Sequence, residues 1–199
     1  MKIIGIDPGL QGGIALLEDG LIIKLIKMPL AKIETRTKKK VGKMTEAEKK
    51  LHKAKKPVYK TKNIINSAEI AKLIKSFNPD MISIEQQMYL SQAHDRSQGS
   101  TSTGTTGENV GRIFAVCESW QQFWSIELKA KTPSLKRTYP HVWKRYFDIG
   151  ADKKKAIAKA EELFPHVNLV PPRCRKKQDG LAEALLLAVY GSRPSKEDF

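Results

Sequence analysis

Through the first thirty residues the apolar positions follow the short runs of β-structure. Lys2 to Asp7 is a run with β-branched residues, stopped by Pro8-Gly9. Gly12 to Leu17 and Leu21 to Met28 follow, and Glu18-Asp19-Gly20 between them contains the Asp-Gly pair that a tight hairpin turn favours. Three antiparallel strands are expected. Further on, Ile70, Leu73, Ile74 and Phe77 recur at helical spacing behind Ser67, which can cap the helix, and Asn78-Pro79-Asp80 ends it. Met81 to Glu85 predicts a strand, Glu108 to Phe123 a helix, and Ser125 to Ala130 a strand. Trp143 to Phe147, Asp152 to Leu163 and Asp179 to Tyr190 predict the remaining helices. Residues 91 to 107, SQAHDRSQGSTSTGTTG, have almost no apolar side chains and read as a flexible loop, not helix or strand. Strands first and alternating helices and strands afterwards indicate an α/β protein with a mixed sheet.

Residues 32 to 62 break the pattern. They hold 13 Lys or Arg against 3 Glu, a net +10 of the whole chain's +15. Thr45 and Glu48 form a capping-box pattern for a short helix, Glu46 to Lys55, ended before Pro57. Too few large apolar residues are present for a separate core. The segment therefore reads as a basic insertion after the third strand, on the single domain that 199 residues suit. It is either a solvated loop or a phosphate-binding arm, and Lys38, Lys39 and Lys40 are a dense cationic run within it.

Such a charge balance invites a polyanion, and nucleic acid is the natural partner. An anionic membrane competes, but no apolar run approaches the ~20 residues of a transmembrane helix. The N-terminus has no secretory pattern, so an intracellular protein without a membrane partner is expected. Cys117 and Cys174 lack CxxC spacing and imply no disulfide framework, and Cys117 reads as core. His52, His94, His141 and His166 lack ligand spacing, so no zinc site is expected. No Walker A pattern occurs, which argues against a nucleotide cofactor.

Acidic residues at element boundaries carry the candidate chemistry. Asp7 ends the first strand and Glu85 ends MISIE, where carboxylates point into the crevice beyond the sheet. Asp179 and Glu183 share one face of the final helix. Taken singly, Asp7 is a turn former, Glu85 a solvated strand end, and Asp179 a helix N-cap. Glu183 resists the ordinary surface reading, because Leu181, Ala182, Ala184, Leu185, Leu186, Leu187, Ala188 and Val189 make its helix apolar almost all round. A buried Glu needs a partner or a metal. Oxygen donors without a His or Cys cluster suit Mg²⁺, with Mn²⁺ as substitute, and two such ions per site would support phosphodiester hydrolysis.

GIDPGLQGG at 5 to 13, SIEQ at 83 to 86 and DGLAEALLLAVYG at 179 to 191 resemble the RuvC family of Holliday junction resolvases, most closely the phage and viral versions. VWK at 142 to 144 and GADKKKA at 150 to 156 extend the resemblance over most of the chain. It implies a ribonuclease-H-like fold with a five-stranded mixed sheet flanked by helices. It also implies a homodimer that resolves four-way DNA junctions by paired symmetric nicks with Mg²⁺. It places metal-binding, catalytic acids at Asp7, Glu85 and the last helix, where Asp179 and Glu183 both stay open. Lys144 and Lys153 match family lysines near the scissile phosphate. Bacterial members space their two final-helix ligands three apart, whereas Asp179 and Glu183 are four apart.

Tyr89 and Arg96 lie near or in the loop that the resemblance sends into the junction centre, suited to base stacking and phosphate pairing. Lys153, Lys154 and Lys155 at a helix start oppose the helix dipole, which hints at phosphate contact. The rival readings are a ribonuclease H, a broader branched-DNA or flap nuclease, and a non-catalytic branched-DNA binding protein. A pseudonuclease should have lost an acid, and none is missing. An actin-like ATPase shares the Gly-Ile-Asp-x-Gly opening but needs a second, duplicated domain, for which the chain is too short.

Overall fold

The computed structural model describes residues 1–37, 58–86, 100–126 and 132–193. Strands β1 (Lys2–Ile6), β2 (Gly13–Glu18) and β3 (Leu21–Lys27) form the expected antiparallel meander. Asp19 and Gly20 both take positive φ, 49° and 81°, in the β2–β3 turn. Two later strands, β6 (Met81–Glu85) and β7 (Ser134–Thr138), extend the sheet in parallel from β1, giving the order β3-β2-β1-β6-β7. This is the mixed five-stranded sheet with helices on both faces.

Alternation along β1 divides the core. Ile4 and Ile6 join Ile14, Leu16, Ile82 and Ile84 beneath helices α1 (Ser67–Phe77) and α2 (Ser100–Ile126), with Cys117 buried there as expected. Ile3 faces the other side, with Ala15, Leu17 and helices α3 (Pro140–Tyr146), α4 (Lys153–Leu163) and α5 (Asp179–Gly191). Helix α5 is buried along nearly its whole length, as its apolar sequence requires. It crosses β1 so closely that a Cβ on Gly5 would lie 2.1 Å from the Ala184 carbonyl oxygen. No described helix is long and apolar enough to cross a membrane.

Several elements differ from the sequence reading. Residues 100 to 107 are helical, the first turns of α2, and not loop. A tertiary bond anchors the helix and offsets their weak propensity: Asn109 Oδ1 accepts from Ile65 N, while its Nδ2 donates to the Thr105 carbonyl one turn back, both at 2.9 Å. Of the strand expected at Ser125 to Ala130, Ser125 and Ile126 instead end α2, and residues 127–131 lie outside the described ones. The fifth strand of the sheet is Ser134–Thr138, a half-exposed edge strand that needs few apolar residues. Both ends of the basic segment are strands, since β4 (Leu30–Thr37) pairs antiparallel with β5 (Val58–Ile65) from Leu30↔Ile65 to Thr37↔Val58. Backbone pairing needs no core, which is why composition missed it. The helix expected at Glu46 to Lys55 lies outside the described residues. Asn66, not Ser67, caps α1 by accepting from Glu69 N, and α3 starts at Pro140, whose missing N–H costs nothing at a helix start.

Candidate active site

Because β1 and β6 are parallel, their C-terminal ends share one edge of the sheet. Ile6 pairs with Ile84, so the next residues, Asp7 and Glu85, emerge side by side. The N-terminal turns of α5 lie over the same edge. Asp179 is the first helical residue there, with Gln178 at the cap position, and Glu183 follows one turn later. A Cβ on Gly180 would sit 2.4 Å from the Gln11 carbonyl oxygen and 3.0 Å from Asp7 Oδ2, so glycine is what lets the helix start seat on the Asp7 turn. All six residues expected to be catalytic line one cavity: Asp7, Glu85, Lys144, Lys153, Asp179 and Glu183.

Their environments differ. Burial, then the charges of Glu183 and Glu85, push the Asp7 carboxyl from its usual 3.8 up to about 8. Glu85 is buried, and Trp143 Nε1 donates to its Oε2 at 3.0 Å. Glu183 is 12% exposed and accepts from Lys144 Nζ at 2.7 Å. Asp179 is more open, at 31%, and pairs with Lys153 Nζ at 2.6 Å. The hydrogen bond and charge of Asp179 hold the Lys153 ammonium above its ordinary range. That pair also explains how a lysine is tolerated at the first position of α4, against the helix dipole. Of the charges acting on Asp7, that of Glu183 is the largest. Glu183 is thus the final-helix acid that shares a field with Asp7 and Glu85, while Asp179 stands towards the rim.

Sequence reasoning missed the role of α3. Its neighbouring residues Trp143 and Lys144 each supply a donor to a different acid, one on β6 and one on α5. VWK stood out only as part of a resemblance, and nothing local indicated that the Trp143 ring would be fully buried with its N–H aimed at Glu85. His141, Arg145 and Gln11 also line the cavity unanticipated. Lys154 and Lys155 are exposed on α4 and are not among the cavity-lining residues. Lys38, Lys39, Lys40, Tyr89 and Arg96 lie outside the described residues.

Among the described residues, no three His, Cys, Asp or Glu side chains are gathered into a ready metal cage. Lysine ammoniums occupy Glu183 and Asp179 instead. The donor chemistry nevertheless fits a hard divalent cation, since Asp7, Glu85 and Glu183 line the same cavity, where burial and then the charges of Glu183 and Glu85 push the Asp7 carboxyl up to about 8. Asp7, Glu85 and Glu183, with Asp179 at the rim, supply the oxygen donors that such an ion would need.

No family model and no curated protein sequence matches the chain. Solved structures do match. A Thermus thermophilus RuvC in complex with Holliday junction substrate aligns at 13% identity and TM-score 0.50, over 95% of this chain and 90% of that one. A second T. thermophilus RuvC structure aligns at 16% identity and TM-score 0.46, over 96% and 95%. The fold is RuvC-like, of the ribonuclease-H-like type.

Proposed function

We propose that this protein is a divalent-metal-dependent endonuclease that resolves four-way DNA junctions, acting as a homodimer that makes paired symmetric nicks. One observation carries the reading: Asp7, Glu85 and Glu183 converge with Lys144 and Lys153 in one cavity beyond the parallel strand ends of a RuvC-like fold. The +15 chain supplies the affinity for a polyanion.

In this reading Asp7, Glu85 and Glu183 would hold Mg²⁺ or Mn²⁺, with Asp179 completing the acid set at the rim. When bound, two such ions supply Lewis-acid stabilisation of the phosphate and a water of lowered pKa. Asp7, whose carboxyl burial and the charges of Glu183 and Glu85 push up to about 8, would bind the ion as the carboxylate. Trp143 keeps Glu85 in one orientation. Lys144 and Lys153 exchange their carboxylate partners for the scissile phosphate and stabilise the charge that develops there. Lys154 and Lys155 hold flanking phosphates, as do Lys38, Lys39 and Lys40 of the basic insertion. Tyr89 and Arg96 serve the junction centre.

The test is incubation of the protein with end-labelled four-way junction, flap, duplex and RNA–DNA hybrid in Mg²⁺. Paired nicks at symmetric positions, confined to the junction, are expected. Preferential cutting of the hybrid would replace the reading with a ribonuclease H, and binding without cutting would make it a branched-DNA binding protein.

A further inference from the structure

A second cationic site lies outside the cavity, where β7, the end of α3 and the end of α5 meet. The Arg193 guanidinium carbon sits 3.7 Å from the centre of the Tyr146 ring and 5.1 Å from that of Tyr190. Lys136 Nζ lies 4.9 Å from the centre of the same Tyr190 ring, and the two tyrosines meet edge to face. Neither cation has a carboxylate partner among the described residues. Partial burial and the nearby Arg193 charge both lower the Lys136 pKa. Ring contacts at a half-exposed surface are weak and leave the like-charge repulsion uncompensated. An anion between the two cations would remove it.

The placement says which anion. Tyr190 follows Glu183 by seven residues on α5, so the two lie along one stripe of the helix, about 10 Å apart at 1.5 Å per residue. That distance is short enough for one DNA strand to reach both places. Helix α3 links the two places, giving Lys144 and Arg145 to the cavity and Tyr146 to the cation cluster.

We infer that Lys136, Arg193 and the Tyr146–Tyr190 pair form a phosphate clamp for a DNA arm, gripping the backbone a short way along the strand from the phosphate held in the acidic cavity. The tyrosine faces fix the Arg193 guanidinium in one plane, which favours two-pronged pairing with phosphate oxygens. This rests on the nuclease reading above, and the test separates the two.

The experiment measures binding of a fluorescent four-way junction over a salt series, in a cleavage-impaired Asp7→Asn background. Replacing both cations, Lys136→Gln with Arg193→Gln, should make log Kd less steep in log salt by about 0.9 per cation removed. Affinity at moderate salt should fall roughly tenfold or more. Charge-keeping Lys136→Arg and Arg193→Lys should preserve the slope, which loss of packing alone would not predict. An unchanged slope in the double variant, with an unchanged Tm, overturns the clamp and leaves the nuclease reading standing. If the double variant unfolds, Arg193→Gln alone decides, since Arg193 follows the last helix. A parent protein that binds no branched DNA at all overturns both.

Discussion

The indole N–H of Trp143 donates to Glu85 Oε2 across 3.0 Å, and the next residue, Lys144, reaches Glu183 across 2.7 Å. One short helix thus sets the spacing of two acids that come from opposite layers, a strand end and a covering helix. The Trp143 ring has no exposed surface, so its direction is determined by packing against Phe147 and the α4–α5 core.

Trp143→Phe retains an aromatic ring but removes the N–H. A hydrogen bond to a charged group contributes ~1.5–3 kcal/mol, so a roughly 10- to 100-fold loss in the rate of junction cleavage is expected. The Mg²⁺ concentration for half-maximal rate should also rise. A Tm lowered in proportion, with the metal dependence unchanged, would reduce Trp143 to a packing role.

Asp7→Asn should abolish cleavage of the junction and leave binding largely intact. Gel-shift and single-turnover assays on the same preparation check both halves, and full cleavage in Mg²⁺ would remove Asp7 from the site.

The raised pKa of Asp7 makes stability fall with pH when no divalent cation is bound. The folded protein holds this proton more tightly than the unfolded chain, so the contribution is complete below the usual 3.8 and is lost as pH rises to about 8. Thermal melts in EDTA between pH 5 and 8 should show the decline. Asp7→Asn should flatten it, with ~2–4 °C in Tm for each kcal/mol recovered at the alkaline end. Added Mg²⁺ should raise the wild-type Tm most at high pH, because binding competes with the proton. A wild-type profile as flat as that of the variant would contradict the charge balance described.

Lys144→Ala leaves Glu183 beside Asp7 without its ammonium partner. Breaking so enclosed a pair is expected to cost up to ~3 kcal/mol in denaturant unfolding without metal. Mg²⁺ should restore part of that stability but not the cleavage rate, since the proposed phosphate contact is gone.

Gly180→Ala would put a methyl 2.4 Å from the Gln11 carbonyl and 3.0 Å from Asp7 Oδ2. Backbone has to yield, at ~1–3 kcal/mol, and the Asp7 turn moves away from α5. Cleavage should fall by about 100-fold while junction binding persists. Near-normal cleavage would show that the acids tolerate displacement.

The sequence alone determined the strand meander with its Asp-Gly turn, the buried final helix, the basic character of the chain and four acids at element boundaries. These were legible because period-2 and period-3.6 patterns, turn chemistry and buried charge are local signals, carried by a few neighbouring residues. Only the tertiary structure decided the rest. Parallel pairing of Ile6 with Ile84 brings Asp7 beside Glu85, although the two acids are far apart in sequence. Packing of α5 on β1 at Gly5 seats Glu183 where its charge raises the Asp7 carboxyl, which four-residue spacing alone did not show. The pairing of β4 with β5, the extra turns of α2 and the edge strand at Ser134–Thr138 likewise depend on partners remote in the chain. Trp143 is the clearest case: burial of its ring is an ordinary apolar event, but which acid its N–H meets depends on how two layers stack across the sheet.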